Sequence, residues 1–194
     1  MSIIVEYADW VEGYVREVGL DRVVLNGHSM GGAITLTLAL RKPDWLRGLV
    51  LTGTGARLRV DPQLLELLRG DYSAAIDFII AHSFANSNEP VTYAHKARLN
   101  GTRRQLERTP QSVTLADYAA CDRFDVMARL GEIAVPSLTI VGARDEMTPP
   151  RYSEYMAARI PGSWLVVVGD AGHMLPLEQP RQYNATLAEF VSSL

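Results

Sequence analysis

The sequence predicts an α/β fold, a mostly parallel sheet with flanking helices, interrupted by a helical insertion. Three observations predict it. Short runs rich in Val, Ile and Leu alternate with stretches of helical periodicity, the pattern of strand–helix–strand units. The run Arg22-Val23-Val24-Leu25 passes through Asn26-Gly27-His28-Ser29-Met30-Gly31-Gly32 into an apolar helical stretch, so a strand, a sharp turn bearing one serine and a helix follow one another. Between residues 58 and 125 helical patterns with Arg, Gln and Asn interspersed run on without a convincing strand, which divides the chain into a sheet-based core, 1–57 with 126–194, and a helical cap or lid, 58–125.

Taken in order, residues 3–18 form an amphipathic pattern in which Ile4, Tyr7, Val11, Tyr14, Val15 and Val18 recur every three or four positions, and Gly19 is placed to end that helix in a left-handed conformation. Arg22 to Leu25 is too short for a helix and is bounded by Asp21 and Asn26-Gly27, so it reads as a strand. The helix after the turn runs from Ala33 to Arg41 and stops at Pro43, which pushes its predecessor out of the α region. Leu46 to Thr52 is a second buried strand, ending in Gly53-Thr54-Gly55. In the insertion, Leu64, Leu65, Leu67 and Leu68 make one apolar helix face, Ala75, Ile76, Ile79 and Ile80 a second, and Val113 to Met127 a third region with a possible break at Cys121-Asp122. Ser137 to Val141 and Trp164 to Val168 are the remaining strands, separated by a helix from about Arg151 to Arg159; Pro180 opens a closing helix whose inner face is Tyr183, Leu187, Phe190 and Val191.

The bulk properties narrow the functional classes. A chain of 194 residues with 47% hydrophobic and 21% charged residues fits one soluble domain with a sizeable core. A net charge of −3 gives no electrostatic case for nucleic acid or an anionic membrane surface, and no apolar run approaches the length of a bilayer span. The lone Cys121 excludes an internal disulfide, and the start Met1-Ser2-Ile3-Ile4-Val5-Glu6 lacks the basic region and cleavage site of a secretory signal, so the expected compartment is the cytoplasm. His82 and His95 stand at no metal-ligand spacing, and neither a metal nor an organic cofactor is called for.

The chemistry gathers at strand ends. A serine flanked two residues away by Gly27 and Gly31 suits a strained turn that lifts its hydroxyl out of the fold, with both glycines expected to meet the steric demand. Serine is a weak nucleophile until a base takes its proton, and that base needs an orienting carboxylate. Working groups in an open parallel sheet lie at the carboxyl ends of strands. Asp145 follows one later strand by a short turn and His173 follows the next, giving the chain order Ser, Asp, His. Asp145 has competing readings as a helix cap, with Glu146 as the acid instead.

Three motifs now resemble those of the α/β-hydrolase superfamily, in its esterase/lipase-like branch: Gly27-His28-Ser29-Met30-Gly31-Gly32, Val141-Gly142-Ala143-Arg144-Asp145-Glu146-Met147-Thr148-Pro149, and Gly172-His173-Met174-Leu175-Pro176-Leu177-Glu178-Gln179-Pro180. The resemblance implies Ser29 as nucleophile, His173 as general base and then acid, Asp145 as the residue holding the imidazole, and the Met30 N–H as an oxyanion-hole donor. It implies a small-molecule carboxylic ester as substrate, cleaved through an acyl-enzyme. His28, Met147 and Met174 are the candidate substrate-binding residues; packing beside the elbow is the alternative for His28, and core packing for the methionines.

The resemblance also carries a departure. Family members begin with further strands and, after the third, a loop giving a second oxyanion donor; here the chain starts at the helix before the nucleophile strand. Loss of one donor costs on the order of 100- to 1,000-fold in turnover. The expected architecture is therefore a truncated α/β-hydrolase fold with the nucleophile strand at a sheet edge, covered by a homodimer or larger assembly, unless the chain is a truncated reading frame. The competing functions are hydrolysis of a carbon–carbon bond on the same fold and a catalytically weak binding or assembly module.

Overall fold

The computed structural model describes residues 4–85 and 93–194. Four strands, β1 (Val23–His28), β2 (Leu46–Thr52), β3 (Ser137–Gly142) and β4 (Trp164–Val168), form one sheet in sequence order, with every neighbouring pair parallel. Parallel neighbours require crossover connections. These are supplied by α2 (Met30–Ala39) between β1 and β2, and by α7 (Pro150–Ala157) between β3 and β4; α1 (Ile4–Glu17) precedes β1. The carboxyl ends of β1, β2, β3 and β4 consequently all point to one rim of the sheet.

Alternation along the strands sorts the core into two layers. Val23, Leu25, Leu49 and Leu51 face the layer holding α1, α2 and Met156 of α7. Val24, Val50, Leu138 and Ile140 face the layer of Tyr183 and Phe190, which belong to α9 (Pro180–Ser192), the helix that follows the short α8 (Leu175–Glu178). This is the period of two expected of strands buried on both sides. β1 and β4 are the edges among the described residues.

Two helix faces differ from their sequence patterns. On α1 the inward stripe is Ile4, Ala8, Val11 and Val15, while Tyr14 and Val18 are exposed. A straight helix advances about 100° per residue, so residues 7, 14 and 18 fall on the flank of that stripe rather than on it. Tyr14 stacks on Trp10 at a centroid distance of 5.9 Å, and the Tyr7 hydroxyl donates to Asp117. On α9 the expected inner residue Val191 is half exposed because Phe190, one position away, occupies the inward direction. Ile3, assigned to the first helix from sequence, lies outside the described residues.

The stretch between β2 and β3 contains α3 (Pro62–Gly70), α4 (Tyr72–Ser83), α5 (Tyr93–Arg108), α6 (Gln111–Arg123) and a 3-10 turn, Met127–Glu132. Asp61 and Asp71 accept from Gln63 N–H and Ala74 N–H and so fix the starts of α3 and α4. Leu64, Leu68, Ala75 and Ile79 form a small core of their own. The stretch enters and leaves through a narrow neck, where Arg57 and Asp125 form an antiparallel bridge and Val126 N–H donates to Ala56 C=O at 2.8 Å. Ala120 and Phe124, at the end of α6, sink into the main core beside α1 and α2. The stretch is thereby tied to the main core beside α1 and α2. Among the described residues no helix is long and apolar enough to cross a membrane.

Candidate active site

Ser29 closes β1 and opens α2 with φ 53° and ψ −119°. A non-glycine residue at positive φ is strained, and strain of this kind persists only where the surroundings over-determine it. Two neighbours do so: Ser29 N–H donates to Thr52 C=O at 3.0 Å, and Thr54 Oγ1 donates to Ser29 C=O at 2.8 Å. The close approach of strand to helix is set by Gly27, where a Cβ would lie 2.3 Å from the Gly31 carbonyl oxygen, and by Gly32, where it would lie 2.4 Å from Thr54 Cγ2. A Cβ on Gly31 would meet nothing within 4 Å. Of the two glycines that sequence spacing assigns to the steric role, only Gly27 fills it; the second is Gly32, because it is Gly32 that faces Thr54.

Asp145, after β3, and His173, after β4, meet beside this turn. His173 Nδ1 lies 3.0 Å from Asp145 Oδ2 and 3.2 Å from Oδ1, with both side chains buried. A carboxylate accepts only, so Nδ1–H is the donor in this pair. Thr148 locks the carboxylate: its N–H donates to Asp145 Oδ1 and its hydroxyl to Oδ2, each at 2.8 Å. Thr148 Oγ1 also lies 3.2 Å from His173 Nδ1.

Ser29 is tied to this pair by its chain neighbours. His28 Nε2–H donates to His173 C=O at 2.8 Å. Burial, followed by the proximity of His173, lowers the His28 pKa to about 4, so the ring is neutral at physiological pH. From the other side, Gly53 at φ 47° leaves room where a Cβ would sit 3.2 Å from Asp145 Oδ2 and 3.4 Å from His173 Nδ1. Its neighbour Thr54 holds Ser29. Among the described residues the bonds that His173 makes run to Asp145, Thr148 and His28, and none joins it directly to the Ser29 hydroxyl.

Ser29 lines a cavity of about 350 Å³ under the insertion, together with Leu64, Phe78, Tyr118, Met147 and Tyr152 among others. Of the sequence candidates for substrate contact, Met147 lines this cavity. His28 and Met174 are not among its lining residues: His28 is bonded to the His173 backbone, and Met174 N–H donates to Ser83 C=O at 2.9 Å, joining the His173 loop to the end of α4. Met30 is the first residue of α2, so its N–H has no acceptor within the helix. Among the described residues no cluster of His, Cys, Asp or Glu has the arrangement of a metal site.

The strained serine turn and the Asp145–His173 pair lie at the strand ends of a parallel α/β sheet, and the family model described as the alpha/beta hydrolase fold matches residues 3–180. The chain belongs to the α/β-hydrolase fold family. A pimeloyl-[acyl-carrier protein] methyl ester esterase of Neisseria meningitidis serogroup B is 33% identical over 179 residues, covering 85% of this chain and 67% of the relative. A thermophilic esterase of known structure is 36% identical with a TM-score of 0.86 and covers 100% of this chain and 74% of its own. A second, from Thermogutta terrifontis, is 28% identical with a TM-score of 0.87 and is covered over 73% of its length. The chain thus spans about two thirds of the Neisseria protein.

Within this α/β-hydrolase site, Thr148, Gly53, Thr54 and Glu178 were not singled out from the sequence. Glu178 closes the back of the His173 loop: one carboxylate oxygen accepts from Gly172 N–H at 2.8 Å and the other from Ala85 N–H at 2.7 Å. Only Thr148 and Glu178 carried any signal, as polar residues inside the two downstream motifs.

Proposed function

We propose that this protein is a serine hydrolase of carboxylic esters, working through an acyl-enzyme. The observation that carries the reading is Ser29: a strained serine that lines a cavity, with the buried Asp145–His173 pair held beside it through His28 and Gly53. The esterases among its relatives support the same chemistry.

In this reading Ser29 Oγ attacks the ester carbonyl while His173 Nε2 takes its proton. Asp145 stabilises the resulting imidazolium without taking the proton itself. The negative charge on the carbonyl oxygen meets the free Met30 N–H at the positive end of α2, an arrangement whose value rises as water is excluded. His173 returns its proton to the departing alcohol. Water, deprotonated by His173, then attacks the acyl-serine and releases the acid. Met147 contributes to the apolar lining for the acyl chain.

Turnover of short-chain p-nitrophenyl esters by the wild type and by Ser29→Ala tests this reading. The expected result is hydrolysis by the wild type and its loss, to background, in the variant. Equal rates for the two proteins would overturn it.

A further inference from the structure

A second concavity, of about 470 Å³, adjoins the one that holds Ser29, and the two share Arg59, Arg151 and Tyr152 as lining residues. Ala56, Arg57, Met127 and Tyr155 complete its polar and apolar walls. Its charge differs from that of its neighbour. The Ser29 cavity includes the carboxylates of Asp61 and Glu146 among its lining residues, whereas the described lining of the second holds three arginines and no acid. In the Ser29 cavity Arg59 and Arg151 balance those two acids, whereas the lining of the second concavity carries an excess of positive charge in a chain whose net charge is −3.

Two of the guanidiniums have partners on the neck of the insertion. Arg57 Nε is 3.6 Å from Asp125 Oδ2, and Arg59 donates to the Asp122 carbonyl oxygen at 2.8 Å with the Asp122 carboxylate further off at 3.9 Å. Asp122 Oδ1 is itself engaged by Val60 N–H at 3.1 Å. Arg151, on the first turn of α7, pairs with no carboxylate among the described residues; its guanidinium lies 5.2 Å from the centre of the Tyr152 ring, on the wall common to both cavities. A role confined to holding the neck together explains Arg57 and Arg59 but not Arg151. Guanidinium groups present a fork of donors matched to carboxylate and phosphate oxygens.

We propose that this arginine-lined concavity is a subsite for an anionic group on the substrate, a carboxylate or phosphate remote from the ester being cleaved. The inference rests on the esterase reading and names its substrate class. A substrate whose carbonyl sits at Ser29 extends past Tyr152, with its charged end among Arg57, Arg59 and Arg151 and away from Glu146 in the Ser29 cavity. Because the guanidiniums are partly solvated, the expected selectivity is about tenfold rather than thousands.

The test compares p-nitrophenyl esters of equal chain length ending in a methyl, a carboxylate or a phosphate group. The wild type is expected to show kcat/KM about tenfold higher for at least one anionic ester than for the neutral one, mainly through KM, with the ratio shrinking as salt is raised. Arg151→Gln should bring the ratio close to one, and Arg151→Lys should restore part of it. A ratio of one or less in the wild type, or one unchanged in both Arg151→Gln and Arg57→Gln, would overturn the subsite. Calorimetry with adipate dianion on Ser29→Ala reads the subsite without turnover. Binding that is lost on adding Arg151→Gln supports it even if no ester is hydrolysed, an outcome that defeats only the esterase reading. Absence of binding together with absence of ester selectivity defeats the subsite while leaving the esterase reading intact.

Discussion

His28 and His173 are joined by a 2.8 Å hydrogen bond from the ring of the first to the main-chain carbonyl of the second, with ring centroids 4.7 Å apart. The residue before Ser29 therefore fixes the loop that carries His173, although 145 positions separate His28 from His173 in the chain. Among the described residues β1 and β4 are the two edges of the sheet, yet both end on the same rim.

The burial of His28 has a pH consequence that this bond opposes: burial and the proximity of His173 lower the pKa, and the bond to the His173 carbonyl raises it. The folded-state pKa of His28 is lowered to about 4 from an ordinary value of 6.5. The unfolded chain therefore binds a proton that the folded chain refuses, and the unfolding free energy falls as pH drops from about 6.5 towards 4. The contribution is up to about 3 kcal/mol, fully present above pH 6.5. Denaturant midpoints across this range should fall in the wild type and fall less in His28→Gln, and a His28 ring resonance that titrates near 6.5 would contradict the account.

Asp145, and not Glu146, is the carboxylate in contact with His173. Asp145→Asn should lower kcat by roughly 10³- to 10⁴-fold with the far-ultraviolet spectrum unchanged, since the amide no longer holds the imidazole in its productive tautomer. Glu146→Gln should retain most of the activity. Steady-state kinetics on one ester decides between them.

The glycines of the turn are not equivalent. Gly27→Ala places a methyl group 2.3 Å from a main-chain oxygen that cannot rotate away, so a loss above about 3 kcal/mol or failure to fold is expected. Gly31→Ala meets open space on the first turn of α2 and should fall within about 1 kcal/mol of the wild type, stabilising if anything. Thermal denaturation of both variants tests the contrast.

Glu178 joins the His173 loop to the end of α4 through two charge-assisted bonds. Its removal in Glu178→Ala leaves Gly172 and Ala85 N–H groups without that acceptor and should cost about 2–4 kcal/mol. Because Gly172 precedes His173, kcat should fall as well. A variant with wild-type Tm and wild-type kcat would show that the clasp positions nothing.

Much of this architecture is legible in the sequence, for identifiable reasons. β2 and β4 have the bounds expected of them, Leu46–Thr52 and Trp164–Val168, because each is a mainly apolar run ended by a glycine and preceded within three positions by a proline or glycine. The turn at Ser29 is readable because strand, glycines and helix follow one another locally. The contacts of Gly53, Thr54 and Thr148 are not, since each depends on which strand lies next to which and on loops meeting across the rim. α5 is charged along its length and offers no apolar stripe to delimit it, and α8, at four residues, is too short for a periodic pattern to show. Apolar periodicity overstated the inner faces at Tyr14, Val18 and Val191 because neighbouring residues already fill those directions.

The central claim is that Ser29 is an activated nucleophile, and covalent labelling measures it most directly. Incubation with a fluorophosphonate, followed by intact-mass and peptide analysis, should give one adduct per chain on the peptide containing Ser29, none in Ser29→Ala, and much slower labelling in His173→Ala. An unlabelled wild type, or an adduct that persists in Ser29→Ala, would contradict the account.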